Sequence, residues 1–318
     1  MSFEGPLRTP TFGVELEFVI RHPPIINGFR ELYKPCIRQQ LRNHLKEGGI
    51  KVNMYHTLYS AWTVDDDSSI RPYEDEDDMH NGLEHTSVEL ISRILPVSQE
   101  GFHEIRRVID LVRGKFDVKV NKSTGLHVHV GNGSEGFNDR CIQNLAQLVT
   151  VFEYQIDSIH PDWRIDCNWA MAPSSNPALS LSNPFQAAEA LQEDEGQAVY
   201  LMNGNWGRNA AYNFTNLVDP AGLKKTIEFR QHTGSMDVQQ VLAWAEFVTG
   251  LVSYCHLIPP ERYTQLILRF GTDKGFNVLM LMQIIGKPHL IDYYRDKLVT
   301  RKRRKIPVEK SSKVCAMS

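Results

Sequence analysis

The sequence predicts an α+β fold built on an antiparallel sheet. Three observations carry this. Short runs alternate apolar and polar residues, longer runs with helical spacing lie among them in no regular βα order, and three helical runs in succession close the chain. A doubly wound parallel sheet would need strict alternation of the two types. At 318 residues the chain suits one large sheet-based domain, and no repeat or low-complexity linker divides it. One domain over residues 1–300 is therefore expected, followed by a basic, disordered tail over 301–318.

The elements follow in order. Alternation predicts strands near Thr11–Ile20, Ser60–Val64, Thr86–Leu95, Phe116–Asn121, Gly125–Val130, Ala211–Leu217 and Lys225–His232. An early helix over Phe29–Lys46 must start or kink at Pro35, whose ring clashes with the preceding turn. Ser98 is placed to cap a helix reaching Lys115, and Asn138 one reaching His160, stopped by Pro161. A long helix from Met236 or Asp237 runs to His256, ended by Pro259 and Pro260. Shorter helices are expected at Glu261–Arg269, Phe276–Ile285 and His289–Thr300.

Composition narrows the function. An apolar fraction of 42% and a charged fraction of 23% exclude a mainly disordered, collagenous or coiled-coil chain. Apolar runs such as Val248–Val252 stop far short of the ~20 residues a membrane helix needs. The first residues carry no basic and apolar signal pattern, so a cytoplasmic protein is expected. Five scattered cysteines without a Cys-x-x-Cys pair argue against a disulfide framework and a structural zinc site. The net charge of −3 divides into +6 over residues 301–318 and −9 over the rest. So acidic a body is a poor partner for nucleic acid, whose binding rests on basic contacts to phosphates. The acidic run Glu74–Asp78 reads as a solvated loop.

The chemistry lies on the strands. In Gly13-Val-Glu-Leu-Glu-Phe18, Glu15 and Glu17 share one face, opposite Val14, Leu16 and Phe18. In Gly125-Leu-His-Val-His-Val130, His127 and His129 share a face in the same way. Thr226–His232 would bring Glu228, Arg230 and His232 together, and Glu89 stands between apolar neighbours. One such strand alone could be an ordinary half-wet strand. Together they form an oxygen-rich set with an occasional imidazole, which suits Mg²⁺ or Mn²⁺ better than zinc. An arginine among metal-binding carboxylates makes sense beside a phosphate, which its fork grips with two hydrogen bonds. The set therefore reads as a site for metal and nucleotide.

Six segments stand in an order that resembles the putative amidoligase family: Gly13–Phe18, Trp62–Ile70, Ser87–Ser92, Thr124–Gly131, Arg208–Asn213 and Thr226–His232. That family belongs with glutamine synthetase and glutamate–cysteine ligase, the carboxylate–amine ligases, and the likeness spans roughly residues 11 to 255. The resemblance implies a glutamine-synthetase-like curved antiparallel sheet, an open half-barrel with helices on its convex side, holding ATP and Mg²⁺ on the concave face. It implies a ligase forming an amide or peptide bond through an acyl phosphate, from small carboxylate and amine substrates. Residue by residue, it assigns Glu15, Glu17, Glu89, His127 and Glu228 to the metals and Arg230 to the transferred phosphoryl. His129 and Arg208 become nucleotide or substrate contacts, and Asp67 the candidate base. Where the family commonly has Pro after the serine of the Glu89 segment, Arg93 stands here.

Other readings compete. Gly131-x-Gly133-x-x-Gly136 satisfies a dinucleotide fingerprint, but the strand before it carries two histidines where a buried parallel strand wants apolar residues. It is expected to be a turn. His127, His129 and Glu135 also fit a cupin-like metal site in an all-β barrel, against which the long helices speak. A catalytically inactive amidoligase-fold binding protein is the third alternative, opposed by the retention of all six metal and phosphoryl groups. The chain ends Cys315-Ala-Met-Ser318 behind the basic run Arg301–Lys305, a pattern for prenylation of Cys315 and membrane association, or else a basic end with an incidental cysteine. Arg164 is open between a substrate-carboxylate contact and a surface charge.

Overall fold

The computed structural model describes residues 10–23, 36–53, 59–72, 82–134, 136–177, 179, 186, 189–192, 195–218 and 224–298. Residues 29–35 of the expected early helix, the run Glu74–Asp78, Glu135 and the tail with Cys315 lie outside them. Eight strands form one antiparallel sheet: β1 (Thr11–His22), β2 (Thr63–Asp65), β3 (Glu84–Ile91), β4 (Leu95–Pro96), β5 (Asp117–Lys119), β6 (Gly125–Gly131), β7 (Tyr212–Asn213) and β8 (Thr226–Thr233). The order across it is β2-β3-β1-β6-β8-β7, with β4 and β5 also paired to β1. The sheet does not close into a barrel, and long helices accompany it, so the cupin alternative is overturned.

Apolar alternate residues of the central strands (Val14, Leu16, Phe18, Leu126, Val128, Val130) are fully buried in the hydrophobic core. Four helices that matter here are α1 (Ile37–Glu47), α2 (Gln99–Lys115), α3 (Asp139–Val151) and α4 (Glu153–Asp157). Ser98 caps α2 by accepting from Gly101 N, and Asn138 caps α3 by accepting from Cys141 N at 2.8 Å. The single helix expected to reach His160 breaks at Phe152, which leaves helical geometry at φ −103°, ψ 20°. Later helices are α5 (Glu195–Asn203), α6 (Thr215–Val218), α7 (Val238–Leu257), α8 (Pro260–Phe270), α9 (Val278–Ile284) and α10 (Leu290–Arg295). Asp237 caps α7, and Pro260 starts α8 at the first helical position, where its missing N–H would be unused anyway. Helix α7 is buried along most of its length, with Val241, Trp244, Phe247, Leu251 and Cys255 at its core.

Two expectations fail locally. Ala211–Leu217 is not one strand: β7 ends at Asn213, whose Oδ1 accepts from Thr215 N (2.9 Å) and starts α6. The second failure is parity. β6 pairs Leu126 with His232 but Val128 with Phe229, so β8 carries one extra residue, a bulge opposite His127. An extra residue reverses which face the next side chain takes. His232 therefore leaves the Glu228–Arg230 row and enters the core beside His160 and Trp244. There burial pushes its imidazole down to about 4.

The glycine triplet is a turn. Gly131 ends β6, which is antiparallel to both neighbours, and Gly133 and Gly136 take positive φ of 73° and 74°, as tight turns demand.

Candidate metal centre and active site

Register alone brings the acidic residues together. Across β2, β3 and β1 one row reads Asp65–Glu89–Glu17, and Glu15 on β1 faces His127 on β6. A neighbouring row joins His129 on β6 to Glu228 on β8 and Asn213 on β7. The polar face is not wet: Glu15, Glu17, His127, His129, Glu228 and Arg230 are all buried.

They form two three-ligand clusters, each offering one donor atom per residue within 4.8 Å of the others: Glu15, His129 and Glu228, then Glu17, Asp67 and Glu89. His127 stands between them. Its Nδ1 lies 3.3 Å from Glu15 and 3.6 Å from Glu228, and its Nε2 3.5 Å from Glu17. The geometry thus brings His129, with Nε2 2.9 Å from Glu15, into the first cluster and makes His127 the bridge. Asp67 belongs with the second cluster; its Oδ1 also accepts from Ser69 N at 2.6 Å. The loop carrying it is tied down by the Arg38–Asp66 ion pair (2.5 Å) and by Ser87, which donates to Asp66 at 2.6 Å.

The electrostatics of the clusters differ. Burial alone would raise the Glu15 carboxyl, but His129 and His127 outweigh it and hold it well below the usual range. Burial likewise opposes, and His129 and Arg230 overcome, to hold Glu228 low. In the second cluster burial wins and raises Glu17. Burial, then the charges of Glu15, Glu17, Asp67 and Asp65, push Glu89 up to about 9. The first cluster is compensated by protein cations; in the second they do not outweigh burial and mutual repulsion, and its carboxyls hold protons that a cation would displace. Hard oxygen donors of this kind fit a divalent cation such as Mg²⁺ or Mn²⁺.

Around the clusters stand groups that, Arg230 apart, the sequence did not single out. Asn213 Nδ2 donates to Glu228 Oε2 at 2.7 Å, and Gly125 N to Glu17 Oε2 at 2.6 Å. Lys224 Nζ lies 3.6 Å from Glu15 and 4.3 Å from the centre of the Tyr59 ring. Arg230 pairs with Glu228 through Nη1 and donates from Nε to the Trp169 carbonyl at 3.2 Å. Asn213 was legible only as part of its motif; the others are backbone groups or residues far apart in sequence, which alternation cannot reveal. Arg208, by contrast, is exposed on the 3-10 helix Gly204–Asn209, and among the described residues no hydrogen bond or ion pair joins it to the clusters. Arg93 forms an ion pair with Glu104 at 2.5 Å and leaves Ser92 free to accept from Val14 N. A cavity of about 340 Å³ opens at the Glu15–His129 end, lined there by Tyr59, Gly131, Lys224 and Lys225.

Asn213 serves two purposes that substitution can separate. Asn213→Ala is expected to lower stability by about 1 kcal/mol through loss of the α6 cap and to weaken cation binding roughly 10–100-fold by freeing Glu228. Asn213→Ser keeps a capping oxygen but cannot reach Glu228, so it should restore the stability and not the affinity. Melting curves and Mn²⁺ titration read the two effects.

Paired acidic clusters on an open antiparallel sheet, with an arginine beside them, make a candidate cation site. The sequence agrees: residues 8–252 match the family described as putative amidoligase enzyme, and the chain belongs to that family. No curated protein matches the chain.

Proposed function

We propose that this chain is an ATP-dependent carboxylate–amine ligase. The observation that carries the reading is the placing of two acidic clusters side by side, joined by His127, with Arg230 at their edge. A carboxylate is a poor acyl donor because its leaving group would be oxide. In the proposed reaction a carboxylate oxygen attacks the γ-phosphorus of ATP and ADP departs, leaving an acyl phosphate. An amine then attacks the acyl carbon, phosphate leaves, and the amine gives up a proton as the amide forms.

Glu15, His129 and Glu228 would hold one Mg²⁺ or Mn²⁺, and Glu17, Glu89 and Asp67 a second. Such cations supply neutralisation of the triphosphate and the incoming carboxylate. Arg230 would meet charge on the moving phosphoryl, and Glu228 with the Trp169 carbonyl holds its guanidinium in place beforehand. The cavity at the Lys224 end is the proposed nucleotide entrance, with His129 at its inner wall. The membership of the second cluster favours Asp67 as a cation ligand over its part as general base.

The test is release of ADP and phosphate from ATP and Mg²⁺ across a pool of carboxylic acids, with and without amines. Release should depend on an acid, and Glu15→Ala should abolish it. Release that survives in Glu15→Ala, or a wild-type protein that binds no nucleotide, would defeat the reading.

A further inference from the structure

We infer that Arg164 binds a second carboxylate of the acid substrate, so that the preferred substrates are acids with two carboxyl groups, one activated and one held. The inference rests on the ligase reading above. Arg164 ends the short 3-10 helix Asp162–Arg164, and the sequence left it open between a substrate contact and a surface charge. Instead it is only 2% exposed, among the largest fully buried side chains in the protein. Its Nη2 donates to the Arg230 carbonyl at 2.9 Å, and the Cys167 side chain is a further hydrogen-bond partner. Its Nε has no partner, and among the described residues no carboxylate stands within ion-pair distance. Glu17 attracts it electrostatically from beyond ion-pair distance, but the ligase reading gives Glu17 to a cation; a desolvated guanidinium left without an anion of its own is disfavoured, and a bound anion would relieve that penalty.

The group lies in the site. A methyl carbon built on Gly125 would stand 2.7 Å from Arg164 Nη2, 2.7 Å from His127 Nε2 and 3.3 Å from Glu17 Oε2. Arg164 Nη2, His127 Nε2 and Glu17 Oε2 thus converge on one point above Gly125. The other cations of the site are already engaged, Arg230 by Glu228 and Lys224 by Glu15. The position also separates the anion from the nucleotide. Arg164 adjoins Gly125, and the cavity at the Lys224 end adjoins His129, four residues or about 13 Å further along β6. We assign the anion at Arg164 to the acid substrate rather than to the triphosphate, since a carboxylate matches the planar fork of two N–H donors.

The test is calorimetric titration of the full chain with acids in matched pairs that differ by one carboxylate, succinate with butyrate and glutarate with valerate. Each titration is run with Mg²⁺, with and without a non-hydrolysable ATP analogue. The wild type should bind at least one diacid about 100-fold or more tighter than its partner, as a site built for a buried polar group rejects the analogue lacking it. In Arg164→Gln that ratio should collapse to within about 3-fold while analogue affinity holds, and Arg208→Gln should behave as wild type. Should Arg164→Gln fail to fold, Arg164→Lys keeps the charge, loses the fork, and should cut the ratio at least about 10-fold. Failure of the wild type to prefer any diacid overturns the inference. So does a ratio that survives in the variants, as a purely structural arginine would give, or a loss of analogue binding in them, which would mark a phosphate contact. Absence of analogue binding by the wild type defeats the ligase reading, and the acid ratio without nucleotide still decides Arg164.

Discussion

Glu89→Gln is expected to stabilise the cation-free protein at alkaline pH while abolishing its turnover. In the folded chain burial and the surrounding acids push the Glu89 carboxyl up to about 9, against an ordinary value of 4.5. The fold therefore binds a proton that the unfolded chain gives up. Stability linked to this group is fully present below about 4.5 and is lost as pH rises through about 9. Glu17, also raised, acts in the same sense. Glu15 and Glu228, both held low, act in the opposite one: their contribution is present above 4.5 and lost as pH falls below it. A neutral amide at position 89 cannot lose the proton, so its advantage grows with pH. Because Glu89 is only partly buried, solvent screening discounts the effect, and a rise in melting temperature of about 3 °C at pH 8.5 is expected, with under about 1 °C at pH 5. Added Mg²⁺ should stabilise the wild type at pH 8.5 and release protons in weak buffer, and should do both to a smaller extent in the variant, which keeps only the Glu15, His129 and Glu228 cluster intact. Parallel melting profiles for the two proteins across that range would sink the assignment of Glu17, Asp67 and Glu89 as a cation cluster.

The contrast between the clusters was partly legible in the sequence. Glu15 with Glu17, and His127 with His129, sit two apart on strands, and alternation suffices to put each pair on one face. Ordering those strands side by side took the register, in which Glu17 faces Glu89 and Glu15 faces His127. The β8 bulge was not legible, because nothing local in Thr226–His232 distinguishes an even strand from one with an extra residue. Its consequence is chemical: it ends the polar row at Arg230 and sends His232 to the core against Trp244. Arg164 was equally hidden. A three-residue 3-10 helix offers no periodicity to read, and its burial comes from Gly125 and Arg230, 39 residues before it and 66 residues after it. Long-range contacts of that sort leave no mark on any window of sequence.

The other large effect belongs to Arg230. Arg230→Lys is expected to lower kcat by about 100–1,000-fold, the range seen when one donor to a developing oxyanion is removed, with little change in the binding of Mg²⁺. The argument turns on geometry more than charge. The guanidinium uses Nη1 for Glu228 and Nε for the Trp169 carbonyl, which fixes the plane of the fork. Burial would weaken that group's hold on its proton, but Glu228, and after it Glu15 and Glu17, raise it above the ordinary value, so the guanidinium stays charged. A lysine can keep the Glu228 pairing, since an ammonium is compact and its stem flexible. It cannot hold Glu228, reach the Trp169 carbonyl and present a planar pair of donors to a phosphoryl group at once. The loss should therefore fall on kcat, because the missing contact is made as charge develops on the moving phosphoryl, and KM for ATP should shift by less than about 5-fold. Arg230→Met would go further. It leaves Glu228 buried with its arginine partner gone, so its melting temperature should drop as well, where Arg230→Lys should hold close to wild type. A lysine variant with wild-type kcat would show that Arg230 serves Glu228 alone. The phosphoryl contact would then have to come from another cation of the site, with Lys224, 3.6 Å from Glu15, next in line.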